Sequence, residues 1–406
     1  MTTKRHSDTL FILNATNIGS VLDGIGVYSL SLLREFSRLT RPRRMIVYVN
    51  RSCTEHLKDI DFTERCEVHW VSALMSPDRG FLGHLLRLLF SNYLALKYRE
   101  SPYVVTSQME AVFTRHGAIM TVHDVIPLLF KQFHRKQYFY FKFLIGRAMR
   151  LASRLITPSA HTKEMLQWHY RIPPRKIHVI HNGCGNVGIQ APVLQSVAVE
   201  EYILYAGRVV DIKNISGIVR AFSQIADKLS HKLIIVGEGA NRSKIKPASY
   251  CVSDVSDRII FKGYLPSDQM AGLLKGASLF VFPSFYEGFG LPPLEAMRCG
   301  CPVVTSAAGS LPEVCGQAAF YVDPHDIGSI ASGIQTVLTN NELRAALVRK
   351  GIKRARLFNW QASASEHLIV FDDVIRESPG TSATERVERI SYAPKREIHV
   401  LGHSVS

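Results

Sequence analysis

Short runs of β-branched and aromatic residues alternate with helix-like segments along almost the whole chain, and this alternation constrains the fold more than any other feature. In the first half, strands are expected at Leu10–Ala15, Met45–Asn50, Glu67–Ser72, Tyr103–Thr106, Ala118–His123, Arg154–Pro158 and Ile177–His181. Helices such as Gly26–Leu39 and Leu82–Arg99 lie between them. In the second half, strands are expected at Tyr202–Ala206, Lys232–Val236, Ile259–Lys262, Leu279–Pro283 and Pro302–Thr305, separated by helices such as Ile215–Leu229 and Ser267–Leu274. Strand–helix–strand alternation specifies parallel sheets covered by helices. The pattern occurs twice, with a break at Asn182–Val199 that carries Gly183, Gly185, Gly188 and Pro192. The expected fold class is α/β: two doubly wound domains facing a cleft, over residues 1–185 and 186–376, then a polar tail at 377–406. In such sheets ligands bind beyond the carboxyl ends of the strands, often on helix N-termini.

Composition bounds the function classes. A chain of 406 residues suits two domains, and 46% apolar against 20% charged residues excludes global disorder. Seven cysteines, an odd number without a Cys-x-x-Cys pair or zinc spacing, argue against a disulfide scaffold or structural zinc and for reduced thiols. The segment Met1–Asp8 leads into a run broken by Asn14 and Asn17, a poor signal peptide. No apolar run reaches the roughly 18 residues of a membrane span. A soluble cytoplasmic chain is expected. The net charge is +15 and unevenly spread: residues 1–190 hold 26 Lys+Arg and 13 Asp+Glu, residues 191–406 hold 23 and 21. The first half therefore meets an anionic partner.

Four segments have the residue types for chemistry. Gly207-Arg208-Val209-Val210-Asp211-Ile212-Lys213-Asn214 follows an apolar strand and precedes a helix, so two cations and a helix N-terminus could meet a diphosphate. Two solvated loop charges would give the same local pattern. In Phe282–Met297 a strand ends at Pro283, a loop with Gly288 and Gly290 follows, and a helix begins near Pro292. Glu287 falls in that loop and Glu295 on the helix; on spacing alone, a capping residue and a surface residue fit equally. His123-Asp124 ends an apolar strand, as a polar anchor or a structural histidine would. Gly24-Ile25-Gly26-Val27-Tyr28 resembles a phosphate turn but lacks the third glycine of the dinucleotide fingerprint. No Gly-x-x-x-x-Gly-Lys-[Ser/Thr] occurs. Asp59-Ile60-Asp61 matches a metal-binding Asp-x-Asp, but no buried-strand run precedes it, and it reads as a solvated turn.

Taken in order, Gly207-Arg208…Lys213-Asn214, Val236-Gly237-Glu238-Gly239, Phe261-Lys262-Gly263-Tyr264, Pro283-Ser284…Glu287-Gly288-Phe289-Gly290…Glu295-Ala296, Pro302–Thr305 and Gly309-Ser310-Leu311-Pro312-Glu313-Val314 strongly resemble the retaining, nucleotide-sugar-dependent glycosyltransferases of family 4. Trp360–Ile375 extends the likeness. The first half resembles them more loosely, through Gly24–Tyr28, His123-Asp124 and Thr157-Pro158-Ser159. The resemblance spans roughly residues 10–376. It implies the GT-B fold of two Rossmann-like domains, with the last helix, about 360–376, packing back on the first. It implies roles by position: Arg208 and Lys213 on the donor diphosphate, Glu295 on the ribose, Glu287 and His123 at the transferred sugar. Backbone N–H groups of Phe289, Gly290 and Leu291 would meet phosphate or sugar, Gly26 would leave room for donor phosphate, and Gly24 and Asp124 would lie on the acceptor side.

The expected activity follows. Fixed cations offset charge on a departing nucleoside diphosphate, so no metal or other cofactor is expected. His123-Asp124-Val125-Ile126-Pro127 looks like members that transfer mannose, which favours GDP-mannose, with UDP-sugars next. The acceptor would be a glycan or a lipid-linked saccharide in surface polysaccharide synthesis. Two basic, apolar segments, Leu82–Arg99 and Phe133–Arg154, suit peripheral attachment to an anionic membrane on its inner face; ordinary core helices would read the same way. The competing readings are a sugar-nucleotide epimerase, a phosphorylase and a non-catalytic two-lobed binding protein. No nucleic-acid module is recognised, and no nucleic-acid partner is expected.

Overall fold

The computed structural model describes residues 10–39, 44–62, 66–99, 101–115, 117–185, 201–240 and 255–377. Most of the expected break, 186–199, and the tail beyond Glu377 lie outside the described residues.

Two all-parallel sheets organise the chain. The first joins β1 (Leu10–Asn14), β2 (Arg44–Asn50), β3 (Cys66–Val71), β4 (Tyr103–Val105), β5 (Ala118–Thr121), β6 (Arg154–Thr157) and β7 (Ile177–Val179) in the order 3-2-1-4-5-6-7. The second joins β8 (Tyr202–Ala206), β9 (Lys232–Val236), β10 (Ile259–Lys262), β11 (Leu279–Phe282), β12 (Val303–Ser306) and β13 (Phe320–Val322) in the order 10-9-8-11-12-13. Central strands read as continuous apolar runs because helices cover both faces: all five residues of β8 and all four of β11 are buried. The flanking helices are one-sided. In Ile215–Ile225, Ile218, Val219, Phe222 and Ile225 face the sheet at helical spacing. The sequence does not announce β13. It is a three-residue edge strand, too short for a periodic signal.

Strand order reverses between β1 and β4 in the first sheet and between β8 and β11 in the second. Loops leaving the carboxyl ends of those strands part to either side, and each domain presents its crevice there.

The basic aromatic segment near 133–154 forms three consecutive helical pieces: Arg135–Phe139, a wider π-type stretch Tyr140–Ile145, and Gly146–Leu151. The last helix, Trp360–Glu377, returns to the first domain. Phe371 packs against Phe11 and Phe36, with ring centroids 5.3 and 5.7 Å away. His367 Nε2 lies 2.7 Å from Tyr28 Oη. Gly183 makes the crossing possible, since a Cβ there would sit 2.3 Å from the Trp360 nitrogen.

Candidate active site

The site is built first by backbone. After β8 the chain passes Gly207, whose carbonyl oxygen lies where a side chain on Gly237 would begin: a Cβ there would be 1.9 Å away. Glycine at 237 thus lets the loops after β8 and β9 touch, and the Val209 amide donates to the Glu238 carbonyl at 2.9 Å. Residues 211–213 form one tight turn, closed by Asn214 in the left-handed region at φ 59°. The Asn214 side chain caps helix Ile215–Ile225 through the Gly217 amide, and its NH₂ donates to the carbonyls of Pro283 and Pro324 at 3.2 and 2.7 Å. One asparagine therefore ties the loop after β8 to those after β11 and β13.

Lys213 is aimed by this turn. Its Nζ lies 2.5 Å from Glu287 Oε1 and 5.5 Å from the Phe282 ring centroid. Both side chains of the ion pair are largely shielded, 19% and 9% exposed, so the attraction is far less screened than on an open surface. The Phe285 amide donates to the Ile212 carbonyl at 2.9 Å and fixes the Glu287 loop against the Lys213 turn. From below, the Ser310 hydroxyl donates to the Glu287 and Phe289 carbonyls at 3.1 and 2.7 Å. Gly309, at φ 60°, leaves no side chain to strike the Glu287 carbonyl.

The first domain supplies the facing wall. Gly288 packs on the end of β5: a Cβ there would lie 2.3 Å from the His123 carbonyl oxygen and 2.8 Å from Asp124 Cβ. His123 Nε2 donates to the Thr106 carbonyl at 2.8 Å, and its ring meets Tyr28 edge-on at 4.6 Å. Burial pushes the imidazole down to about 4, so it stays neutral. Asp124 Oδ1 accepts from the Ile126 amide at 2.9 Å. Burial raises its carboxyl; the Ile126 amide and Lys213 act against that rise, and Glu287 adds to it. Lys213, Glu287 and Asp124 thus form one electrostatic cluster across the cleft, with the neutral His123 next to Asp124 on the facing wall.

The other expected residues each have their own surroundings. Arg208 is exposed and pairs with Glu238 at 3.4 Å. Glu295 sits on helix Leu291–Arg298, where burial raises its carboxyl to about 7. Its charge bears on the thiols of Cys184 and Cys299. The Phe289 ring turns inward beside His181 and Phe358, leaving its backbone to the loop. Gly290, at φ 117°, starts the helix that Leu291 opens. Gly24 and Gly26 open helix Gly24–Leu39, with the Gly26 amide held by Asp23 Oδ1 at 2.8 Å. The charge of Asp23 reaches His123. Asp59 and Asp61 are exposed. Among the described residues, no group of three or more His, Cys, Asp or Glu side chains is placed to hold a metal ion.

Sequence reasoning gave no role to Asn214, Ser310 or the Tyr28–His367 contact. Asn214 carries a local signal, an asparagine just before a helix. Ser310 and His367 act through partners 21 to 23 and 339 residues away, and nothing local marks that.

Residues 22–184 match the family model described as Glycosyltransferase Family 4, and residues 190–354 the model described as Glycosyl transferases group 1. The O-antigen chain mannosyltransferase B of Escherichia coli is 27% identical over 365 residues, covering 84% of this chain and 93% of that protein. Among solved structures, sucrose-phosphate synthase of Thermosynechococcus elongatus superposes with a TM-score of 0.71 at 21% identity, over 90% of this chain and 99% of that one. HepE of Anabaena, solved with UDP and glucose, superposes with a TM-score of 0.69 at 17% identity, over 90% and all of that chain.

Proposed function

We propose that this chain, which belongs to family 4 of the glycosyltransferases and has their two-domain GT-B fold, transfers mannose from GDP-mannose to a glycan or lipid-linked saccharide. The transfer retains anomeric configuration, needs no divalent metal, and serves the assembly of a surface polysaccharide. The observation that carries the reading is the shielded Lys213–Glu287 pair at the switch point of the second sheet, facing Asp124 and His123. In this reading Lys213 and Arg208 meet the diphosphate, and their charge offsets that of the leaving group as the bond to the sugar breaks. Arg208 is free to swing from Glu238, because both side chains are exposed. Glu287, released from Lys213 by the incoming phosphate, faces the sugar as positive charge develops there. Neutral His123, whose Nε2–H is taken by the Thr106 carbonyl, accepts from a sugar hydroxyl at Nδ1 without adding charge. Glu295 takes the ribose hydroxyls.

Mannose is favoured by the likeness to the O-antigen mannosyltransferase and by the segment His123–Pro127. A UDP-sugar is the second reading, favoured by the UDP held in HepE.

Attachment to an anionic membrane is part of the proposal. Between Asp124 and Glu164 the chain has no acidic residue and eight Lys+Arg. Phe139 and Phe143 stand exposed there. So do Phe81, Leu85, Leu89 and Leu96 on helix Gly80–Lys97, which touches that segment through His84 and Tyr140. No helix among the described residues is long and apolar enough to cross a membrane.

A donor screen tests the function. Purified protein is given GDP-mannose, UDP-glucose or UDP-galactose, with membranes and with EDTA. Mannose should enter the glycan or lipid fraction from GDP-mannose alone, in the presence of chelator. Consumption of only a UDP-sugar moves the donor to the second reading. Loss with EDTA and recovery with Mn²⁺ overturns the metal-free step. Sugar interconversion without an acceptor would mark an epimerase.

A further inference from the structure

We propose that Glu313 is a positioning residue: its carboxylate reaches from the second domain to cap a helix of the first, and so fixes where Glu287 stands against His123 and Asp124. Helix Ala160–Tyr170 begins with N–H groups that have no partner within the helix. Ser159 Oγ takes the Thr162 amide at 3.0 Å. The two preceding amides are taken by the opposite domain: Glu313 Oε1 accepts from Ala160 N at 2.9 Å, and Oε2 from His161 N at 3.2 Å. His181 Nε2, also from the first domain, lies 2.8 Å from Oε1. Burial alone would raise the Glu313 carboxyl, but His181 and the two amides outweigh it and hold it below the usual range. A carboxylate at a helix N-terminus is favoured by the helix dipole, and here that favour acts between domains.

The contact is reciprocal. Ser159 Oγ and Thr162 Oγ1 donate back to the Gly288 carbonyl at 2.8 and 3.3 Å. The first turn of one helix therefore holds both Glu313 and the loop that carries Glu287. Glu313 is itself anchored at the back, where the Arg354 guanidinium donates to the Glu313 and Val314 carbonyls at 2.5 and 2.8 Å. Three residues before it, Ser310 holds the Glu287 and Phe289 carbonyls. A shift of the short helix Leu311–Cys315 thus becomes a shift of Glu287. Without the carboxylate, water satisfies the two amides equally well with the cleft open, and closure loses two charge-assisted hydrogen bonds.

The test reads the protein alone, so its outcome does not depend on which donor the enzyme uses. Amide exchange over residues 158–164 and the radius of gyration in solution are compared for wild type, Glu313→Gln and Glu313→Ala. Glu313→Ala should speed exchange at Ala160 and His161 about tenfold or more, the loss expected for two charge-assisted bonds, and enlarge the radius. Glu313→Gln, which keeps one acceptor oxygen, should fall between. Transfer should show kcat down about tenfold with donor KM changed less than about twofold, as for a lost closure step. Unchanged exchange and radius in Glu313→Ala overturn the proposal. So does faster exchange throughout the first domain, which would make Glu313 a general support of the fold.

Discussion

Lys213 and Glu287 lie 2.5 Å apart although 74 residues separate them in the chain. Their strands, β8 and β11, are hydrogen-bonded neighbours across the reversal of strand order, so both side chains leave the sheet at one crevice. The pair also keeps a carboxylate from standing uncompensated beside Asp124, whose own carboxyl Glu287 pushes up.

Lys213→Ala should therefore do two things. It removes the cation expected on the departing diphosphate, with kcat lower by about 10²-fold or more. It also leaves Glu287 and Asp124 facing each other, so the remaining activity should shift its acid limb upward in pH. Arg208→Ala should show a loss of similar size without the pH shift, because its partner Glu238 is exposed. Steady-state rates across pH separate the two. Wild-type turnover in the folded double mutant would remove both residues from the diphosphate.

Glu287→Gln and Glu295→Gln should fail differently. The first deletes charge beside the sugar, so kcat should drop more than KM rises; the second should mainly raise donor KM. Glu295 adds a pH signature. Its carboxyl titrates at about 7, so donor affinity carried by the ionised form should improve from pH 6 to pH 8 in wild type and be flat in Glu295→Gln. Stability moves the other way. The folded state holds a proton that the unfolded chain has released above about 4.5, so this contribution is lost as pH rises through 7. The melting temperature of Glu295→Gln should gain on wild type over that interval. Unchanged kcat in Glu287→Gln would take that residue out of the chemistry.

Gly288→Ala should block closure rather than folding. Its new Cβ would meet the His123 carbonyl at 2.3 Å, a clash the molecule can relieve by separating its domains. The expected result is a drop in kcat of about tenfold or more, with a melting temperature within a few degrees of wild type. Full activity would show that the Gly288–His123 approach is not needed for turnover.

His123 and His367 should make the fold acid-sensitive. Burial pushes both down to about 4, so between there and about 6.5 the unfolded chain binds protons that the folded state refuses. Their stability is complete above 6.5 and lost as pH falls, on the order of 3 kcal/mol each by pH 4. Urea titrations at pH 7.5 and pH 5 measure it. His367→Phe should flatten the difference, and an unchanged slope would mean that the ring is not excluded from solvent.

Much of the architecture was legible because parallel strands covered on both faces must be apolar throughout, and each of the twelve expected strands overlaps an observed one. The edge strand β13 escaped because three residues at a rim need no pattern. At the site, local pattern located the strand ends of Lys213, Glu287 and His123, and the family resemblance set all three at one donor, but neither showed that Lys213 pairs directly with Glu287. That depends on strand order, and β8 pairs with β11 past two intervening strands. Glu313 stood in a segment resembling the family without a role, since a carboxylate that caps a helix 153 residues earlier leaves no trace near itself.

The return of Trp360–Glu377 decides how such a molecule can be cut and recombined. Trp360, Leu368, Phe371 and Val374 belong to the same apolar cluster as Phe11, Leu33 and Phe36. A fragment ending near residue 185 would leave that cluster uncovered where the last helix packs on it, with Tyr28 stripped of His367. A chimera that exchanges acceptor domains between related enzymes must therefore move two stretches of chain together, one from each end, and a single crossover between the sheets would join two surfaces that never evolved to fit.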